Sequence, residues 1–133
     1  MENQVTYTPK RSIAKRKKPS NHESRLQSTC VRWFRYQMSQ YAPLLFAIPN
    51  GGKRGKTTAA ILVGEGVQKG VPDLFLAVPK TPYSGLFIEM KWGDNKPSAD
   101  QIAMIERLKA QGYVCELCYS FDEFRAIITE YFT

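Results

Sequence analysis

Two acidic residues and a lysine stand where a β-sheet would bring their side chains together. Asp73 follows a proline, Glu89 lies sixteen residues further on, and Lys91 comes two residues after it. Side chains alternate between the two faces of a strand, so Glu89 and Lys91 share a face. Neighbouring carboxylates repel each other unless a cation joins them, and oxygen ligands favour Mg²⁺ or Mn²⁺. The spacing predicts a metal site at which Lys91 orients a water molecule or stabilises negative charge on a phosphate.

The same residues also fit a plainer interpretation. Glu89 and Lys91 could form an ion pair on a solvated strand face, and Asp73 could be an ordinary turn residue after Pro72. A Glu-x-Lys triplet by itself is weak, because it occurs by chance in many proteins. What favours a site is the strand setting, the preceding Pro-Asp and the basic first half of the chain.

Hydrophobic periodicity predicts the elements that must hold these residues. Four strands are predicted at LLFAIP, VPDLFLAV, GLFIEMKW and YVCELCY, with helices before, between and after them. The short linker PKTPYS between the second and third strands favours an antiparallel hairpin, which brings Asp73 toward Glu89. The order helix, strand, helix, strand, strand, helix, strand, helix predicts one α/β domain, a sheet flanked by helices.

Capping patterns predict where three of the helices begin. Ser-x-x-Glu or Ser-x-x-Gln spacing occurs at Ser20–Glu23, Ser98–Gln101 and Ser120–Glu123, and such a box satisfies backbone donors at a helix N-terminus. The first box predicts a helix that starts near residue 21. Residues 1–20 are polar and basic without an apolar period, so we expect a flexible basic arm there and a folded domain over residues 21–133.

Positive charge is concentrated at the front of the chain. Residues 1–20 hold six Lys or Arg and one Glu, residues 21–56 hold six and one, and residues 57–133 hold seven against ten acidic residues. The net charge is +7. A basic front and a mildly acidic back predict contact with the phosphates of a nucleic acid.

The segment LLFAIPNGGKRGKTTAA looks like a strand, a glycine-rich loop and a helix, as in a nucleotide-binding loop. Three residues separate Gly51 from Gly55, whereas the Walker pattern needs four. The spacing therefore disfavours an ATPase, and no nucleotide cofactor is predicted. We predict instead that the loop contacts DNA phosphates through Asn50, Lys53, Arg54 and Lys56, with a basic surface turn as the alternative.

The remaining composition limits the function classes. No apolar run approaches the ~20 residues that a membrane-spanning helix needs, and the N-terminus lacks the apolar region of a signal peptide. We therefore predict no membrane association and a cytoplasmic location. Cys115 and Cys118 form a Cys-x-x-Cys pair on a strand, where residues three apart point to opposite faces. They and Cys30 are predicted to be buried reduced thiols rather than zinc ligands.

The chain resembles a known nuclease family in the segments GVPDLFL and GLFIEMKWGDNKPSADQIAMIERLKAQGY. These look like the VRR-NUC (virus-type replication-repair nuclease) domain, a branch of the PD-(D/E)XK superfamily. The superfamily motif matches at Pro72-Asp73 and Glu89-Met90-Lys91, and the family's further acidic and amide positions match Glu23 and Gln101. The resemblance covers about residues 22–132. It implies a restriction-endonuclease-like fold, a mixed β-sheet flanked by helices.

The resemblance also implies an activity, the metal-dependent hydrolysis of DNA phosphodiester bonds. Asp73, Glu89 and the backbone carbonyl of Met90 would hold Mg²⁺ or Mn²⁺, and Lys91 would orient or activate the attacking water. Glu23 would complete the metal site through a second ion or a water. Gln101 would orient Lys91 or the phosphate. A capping role alone is the alternative for both Glu23 and Gln101.

Substrate and assembly follow from the same resemblance. Standalone domains of this family, often carried by phages and bacteria, are homodimers that act on branched DNA such as four-way (Holliday) junctions. The resemblance implies a homodimeric, structure-selective endonuclease in the cytoplasm of a bacterial or phage-infected cell. Two alternatives stay open, a DNA-binding module without catalysis and a nuclease that acts on flaps, nicks or linear duplex.

Overall fold

The computed structural model describes residues 9–49 and 56–133. The elements within these ranges follow the predicted order. They are helix α1 (Pro9–Gln37), strand β1 (Leu45–Ala47), helix α2 (Lys56–Gly64), strand β2 (Leu74–Leu76), strand β3 (Leu86–Met90), helix α3 (Ala99–Ala110), strand β4 (Val114–Cys118) and helix α4 (Phe121–Phe132), with a short 3-10 helix at Ser39–Leu44.

The four strands form one mixed sheet in the order β1-β2-β3-β4. β1 pairs with β2 and β2 with β3 in antiparallel fashion, whereas β3 and β4 are parallel because α3 carries the chain back across the sheet. The hairpin prediction is confirmed: β2 pairs Leu74 with Ile88. Asp73 directly precedes Leu74 and Glu89 directly follows Ile88, so both carboxylates lie at one end of the hairpin.

Helices cover the sheet so completely that all five residues of β3 are buried. α1 and α4 contribute Cys30, Phe34 and Phe124 to the main core, which packs against Ile88 and Met90. Gln101 of α3 meets the side chain of Glu89 on the opposite face of β3. Glu89 therefore lies in the protein interior, and the interpretation of a solvated strand face is wrong.

Helix α1 begins at Pro9 rather than near residue 21, so that prediction is wrong. Proline is tolerated in the first turn of a helix, and the Lys, Arg and Ala residues that follow are good helix formers. The helix continues through Pro19, which opposes it because proline has no backbone N–H to donate. Glu23 consequently lies inside a helix, where no free N-terminus needs a cap. The division of the chain at residue 20 into an arm and a domain stays a prediction.

Of the other two capping patterns, the one at the start of α3 is confirmed in full and the one at the start of α4 is confirmed for Ser120 only. Ser98 and Gln101 form a complete capping box at the start of α3. The hydroxyl of Ser120 accepts a hydrogen bond from the backbone N–H of Glu123 at the start of α4. The carboxylate of Glu123 accepts from the N–H of Tyr119 instead of that of the cap residue. Helices α3 and α4 thus begin at the residues that the sequence predicts.

None of the three cysteines forms a disulfide, and two of them are buried as predicted. Cys30 and Cys118 are fully buried, and Cys115 is half-buried on the opposite side of β4. Within residues 9–49 and 56–133, no helix combines the length and the apolar character that crossing a bilayer requires.

Candidate active site

Asp73 is held at the point where the β2–β3 ladder ends. Pairing between the two strands stops at Leu74 and Ile88. Beyond that pair, Oδ2 of Asp73 accepts a hydrogen bond from the backbone N–H of Met90 at 2.8 Å. The N–H and C=O of one residue in an extended strand point to the same edge. The carbonyl of Met90 therefore lies on the side of β3 that faces Asp73.

Glu89 is the most deeply buried charged residue of the site, with 3% of its surface exposed. Its Oε2 accepts a hydrogen bond from Nε2 of Gln101 at 2.9 Å and lies 3.4 Å from Nζ of Lys91. Its Oε1 is buried and has no hydrogen-bond partner among the described protein atoms. One carboxylate oxygen is thus held by two donors, and the other has a buried lone pair that no described residue satisfies.

Lys91 lies just beyond the end of β3 and is 8% exposed. Besides the contact with Glu89, its Nζ donates a hydrogen bond to Oε1 of Gln101 at 2.9 Å. Its backbone N–H donates to the carbonyl of Cys118 at 2.9 Å, which extends the parallel pairing of β3 and β4 by one residue. Backbone and side chain together hold the ammonium group in place beside the carboxylates.

Gln101 joins the start of α3 to the buried charges. Its Oε1 accepts from the backbone N–H of Ser98 at 2.9 Å and also from Lys91, while its Nε2 donates to Glu89. The backbone N–H of Gln101 donates to the hydroxyl of Ser98. The amide of Gln101 therefore caps α3 and contacts both Lys91 and Glu89, and its role in catalysis stays a prediction.

Glu23 lies close to the site but faces a residue that the sequence analysis missed. Its Oε2 accepts a hydrogen bond from Nδ2 of Asn95 at 3.2 Å. Next to it, the ring of His22 stacks on Trp92 with 4.6 Å between ring centroids. Trp92 is 39% exposed, because β3 ends before it. These two contacts join the middle of α1 to the segment that follows β3.

Gly70 is a second residue that the sequence analysis did not single out as part of the site. Its φ is +83°, a region that favours glycine. A Cβ at this position would lie 2.4 Å from the backbone oxygen of Asp100 and 3.0 Å from the backbone nitrogen of Gln101. The chain before Asp73 therefore packs directly on the first turn of α3, where only glycine fits.

The pKa of Glu89 is raised from its ordinary value of 4.5 to about 7. Burial is the largest cause, and the negative charge of Asp73 adds to it. Lys91 acts in the opposite direction through its charge and hydrogen bond, and Glu23 raises the pKa slightly further. Among the described residues, the charge of Lys91 therefore does not offset burial and the two acidic neighbours of Glu89.

Folding stability should report this pKa in metal-free protein. Between pH 4.5 and about 7 the folded chain binds more protons than the unfolded chain, so its unfolding free energy falls as pH rises through that window. We expect this fall to be absent in Glu89→Gln. The unfolding free energy of the variant minus that of the wild type should therefore rise by about 3 kcal/mol from pH 4 to pH 8. Urea denaturation in EDTA at several pH values measures it. Parallel curves for the two proteins would contradict the assignment.

The oxygen ligands of the site fit a hard divalent cation. The orphaned Oε1 of Glu89, the neighbouring carboxylate of Asp73 and the carbonyl of Met90 are ligands of the kind that Mg²⁺ and Mn²⁺ prefer. Among the described residues, no three acidic, histidine or cysteine side chains group closely enough to hold an ion alone. Mg²⁺ is commonly bound by one or two carboxylates with water and phosphate oxygens completing its shell, so two carboxylates suffice.

The predicted DNA-binding loop falls outside this description. Asn50, Lys53 and Arg54 lie outside the described residues, and Lys56 is the first residue of α2 with its side chain outside them. Their contact with DNA stays a prediction. By contrast, Asp73, Glu89, Lys91 and Gln101 lie together as the sequence analysis expected, with Glu23 beside them.

The mixed sheet and its helical cover define an α/β domain with a restriction-endonuclease-like fold. A family model, the VRR-NUC domain, matches residues 21–122. The chain therefore belongs to the VRR-NUC family, which confirms the resemblance. A solved structure, a VRR_NUC domain protein, matches with a TM-score of 0.71 and 26% identity over 82% of this chain and 86% of that chain. No curated protein matches the chain.

Proposed function

We propose that the protein is a Mg²⁺- or Mn²⁺-dependent endonuclease that hydrolyses phosphodiester bonds in branched DNA such as four-way junctions. The observation that carries the proposal is the buried carboxylate of Glu89. One of its oxygens is held by Gln101 and Lys91, and the other has no partner in the described chain. A structural ion pair would not need that second oxygen buried and unsatisfied.

The residues of the site have separable tasks in this proposal. Asp73, Glu89 and the carbonyl of Met90 would hold the ion, which supplies Lewis-acid polarisation of a phosphate oxygen and a more acidic bound water. Lys91, fixed by Gln101, would donate hydrogen bonds to the attacking water or to the phosphate as negative charge develops. Glu23 would contribute through a second ion or a water.

Preference for a junction and dimer formation are parts of the same proposal. Symmetrical cutting of a four-way junction needs two active sites related by a two-fold axis, which suits a C2 homodimer. The net charge of +7 supports a DNA substrate. Sedimentation at micromolar concentration that gives only monomer would contradict the dimer without touching the chemistry.

A cleavage assay tests the activity. Labelled four-way junction, flap, nicked duplex and linear duplex are incubated with the protein in Mn²⁺, in Mg²⁺ and in EDTA. We expect cleavage only with a divalent ion, and fastest cleavage for the junction. Cleavage of linear duplex at the same rate as the junction would support the nuclease activity and contradict the preference for junctions. Binding without hydrolysis in either metal would identify a DNA-binding module instead.

A further inference from the structure

A groove runs along the open edge of the sheet, between α1 and β1. It encloses about 420 Å³ and is lined by residues of α1, β1 and the start of β2, among them Gln27, Ser28, Arg32, Arg35, Ala47 and Leu74. β1 is the edge strand, since it pairs only with β2 among the described strands. The groove is therefore a surface feature outside the cluster around Glu89.

One end of this groove lies next to the candidate active site. Leu74, which lines it, directly follows Asp73 and pairs with Ala47 of β1. The backbone N–H of Ile48 donates to the carbonyl of Asp73 at 2.8 Å. From Gln27 to Arg35 the helix rises about 12 Å, roughly the axial length of three to four base pairs. Leu74 and Ala47 lie on the sheet face that α1 covers, whereas Glu89 lies on the other face. A strand that leaves the active site would therefore reach the groove around the end of the sheet at Asp73.

The charges of the groove favour an anionic ligand. Arg32 and Arg35 are exposed, and neither forms an ion pair with any residue that the structure describes. Among the described residues that line the groove, none is acidic. Arginine presents several N–H donors in a planar fork that matches a phosphate group. Two such groups with no acidic neighbour to neutralise them form a cationic wall.

The opposite wall adds a backbone donor. The hydrogen bonds from Ile48 to Asp73 and from Ala77 to Leu44 fix which residues of β1 face β2. Paired residues alternate in an antiparallel ladder, so Ala47 directs its N–H away from β2, toward the open edge. Ala47 is exposed, and an unpaired backbone N–H at an edge is a ready donor to a phosphate oxygen.

We propose that this groove binds the sugar-phosphate backbone of a DNA strand that extends from the active site. The inference deepens the proposed function and rests on it for the direction of the strand. A second protein strand that adds to β1 is the main competing occupant, but β1 is only three residues long. Natural sheets keep edge strands short to prevent such pairing. The cationic wall has no role in it.

The test compares two charge-matched double variants. Arg32→Gln/Arg35→Gln removes the cationic wall, and Arg107→Gln/Lys109→Gln removes two exposed charges from α3. Dissociation constants for a labelled duplex and a four-way junction are measured in EDTA over a range of salt concentrations. We expect the groove variant to bind roughly tenfold more weakly and its salt slope to fall by about two, with little change in the control.

Each other outcome has a definite meaning. A groove variant with the affinity and salt slope of the wild type overturns the inference. Loss of self-association in sedimentation with unchanged DNA affinity assigns the groove to a protein contact and overturns it too. Groove-dependent binding without cleavage by the wild type removes the proposed nuclease function but retains the groove. No DNA binding at any salt concentration removes both. Urea denaturation confirms that the variants remain folded.

Discussion

Replacement of Lys91 with alanine is expected to lower the rate of DNA cleavage by about 10²- to 10⁴-fold. Lys91 is 8% exposed, and its Nζ lies 3.4 Å from Oε2 of Glu89. Its loss removes the donor that would face the water or phosphate. It also removes a charge that lowers the pKa of Glu89, so a larger fraction of Glu89 would be protonated near pH 7 and unable to bind an ion.

The measurement is single-turnover cleavage at saturating protein in Mn²⁺, together with DNA affinity in EDTA. Lys109→Ala, which removes an exposed lysine from α3, is the matched control and should cleave like the wild type. Affinity of the Lys91→Ala variant for DNA should stay within a few-fold of the wild type, because one buried lysine adds little to a phosphate-binding surface. Equal cleavage by Lys91→Ala and wild type would place the chemistry elsewhere.

The second large effect is expected at Gly70, which lies outside the cluster of charged side chains. Gly66 and Gly70 both adopt positive φ, +109° and +83°, so alanine strains the backbone at either position. Only at Gly70 would the new Cβ meet other atoms, since nothing lies within 4 Å at Gly66. A backbone oxygen at 2.4 Å cannot rotate away, so the first turn of α3 must move and take Gln101 with it.

Gly70→Ala should therefore be about 1–3 kcal/mol less stable than Gly66→Ala, as judged by urea denaturation. Among folded molecules, the cleavage rate of Gly70→Ala should fall at least tenfold with little change in DNA affinity. Hydrogen exchange should show reduced protection of the backbone N–H of Ile102, which donates to the carbonyl of Ser98. Equal losses of stability and rate in the two variants would mean that backbone strain alone, and not the position of α3, is responsible.

The sequence predicts well what depends on local pattern. Alternation along β3 places Glu89 and Lys91 together, and the spacing of Ser98 and Gln101 marks the start of α3. The same kind of pattern at Ser20–Glu23 misleads, because good helix formers continue α1 back to Pro9. A capping signal therefore shows that a helix can begin at a residue, not that it does.

Long-range contacts left no local signal in the sequence. The hydrogen bond between Asn95 and Glu23 and the packing of Gly70 on Asp100 each join segments far apart in the chain. Once the fold is known, the sequence positions of Gly70 and Asn95 can be related to the site. Gly70 lies three residues before Asp73, and Asn95 follows the Glu-Met-Lys strand closely. Without the fold, neither position distinguishes a site residue from an ordinary loop residue.

The amide of Gln101 also makes the arrangement of the site depend on the N-terminus of α3. Helix termini open and close far more readily than helix centres. Each time the first turn of α3 frays, Ser98 releases Oε1 of Gln101, and the partners of Lys91 and Glu89 loosen together. The site would then have two states, one with the hydrogen bonds of Gln101 formed and one with them broken. The equilibrium between the two states would depend on the capping box at Ser98 and Gln101. A metal ion or DNA that binds only the state with these hydrogen bonds formed would shift the equilibrium toward it and stabilise the first turn of α3.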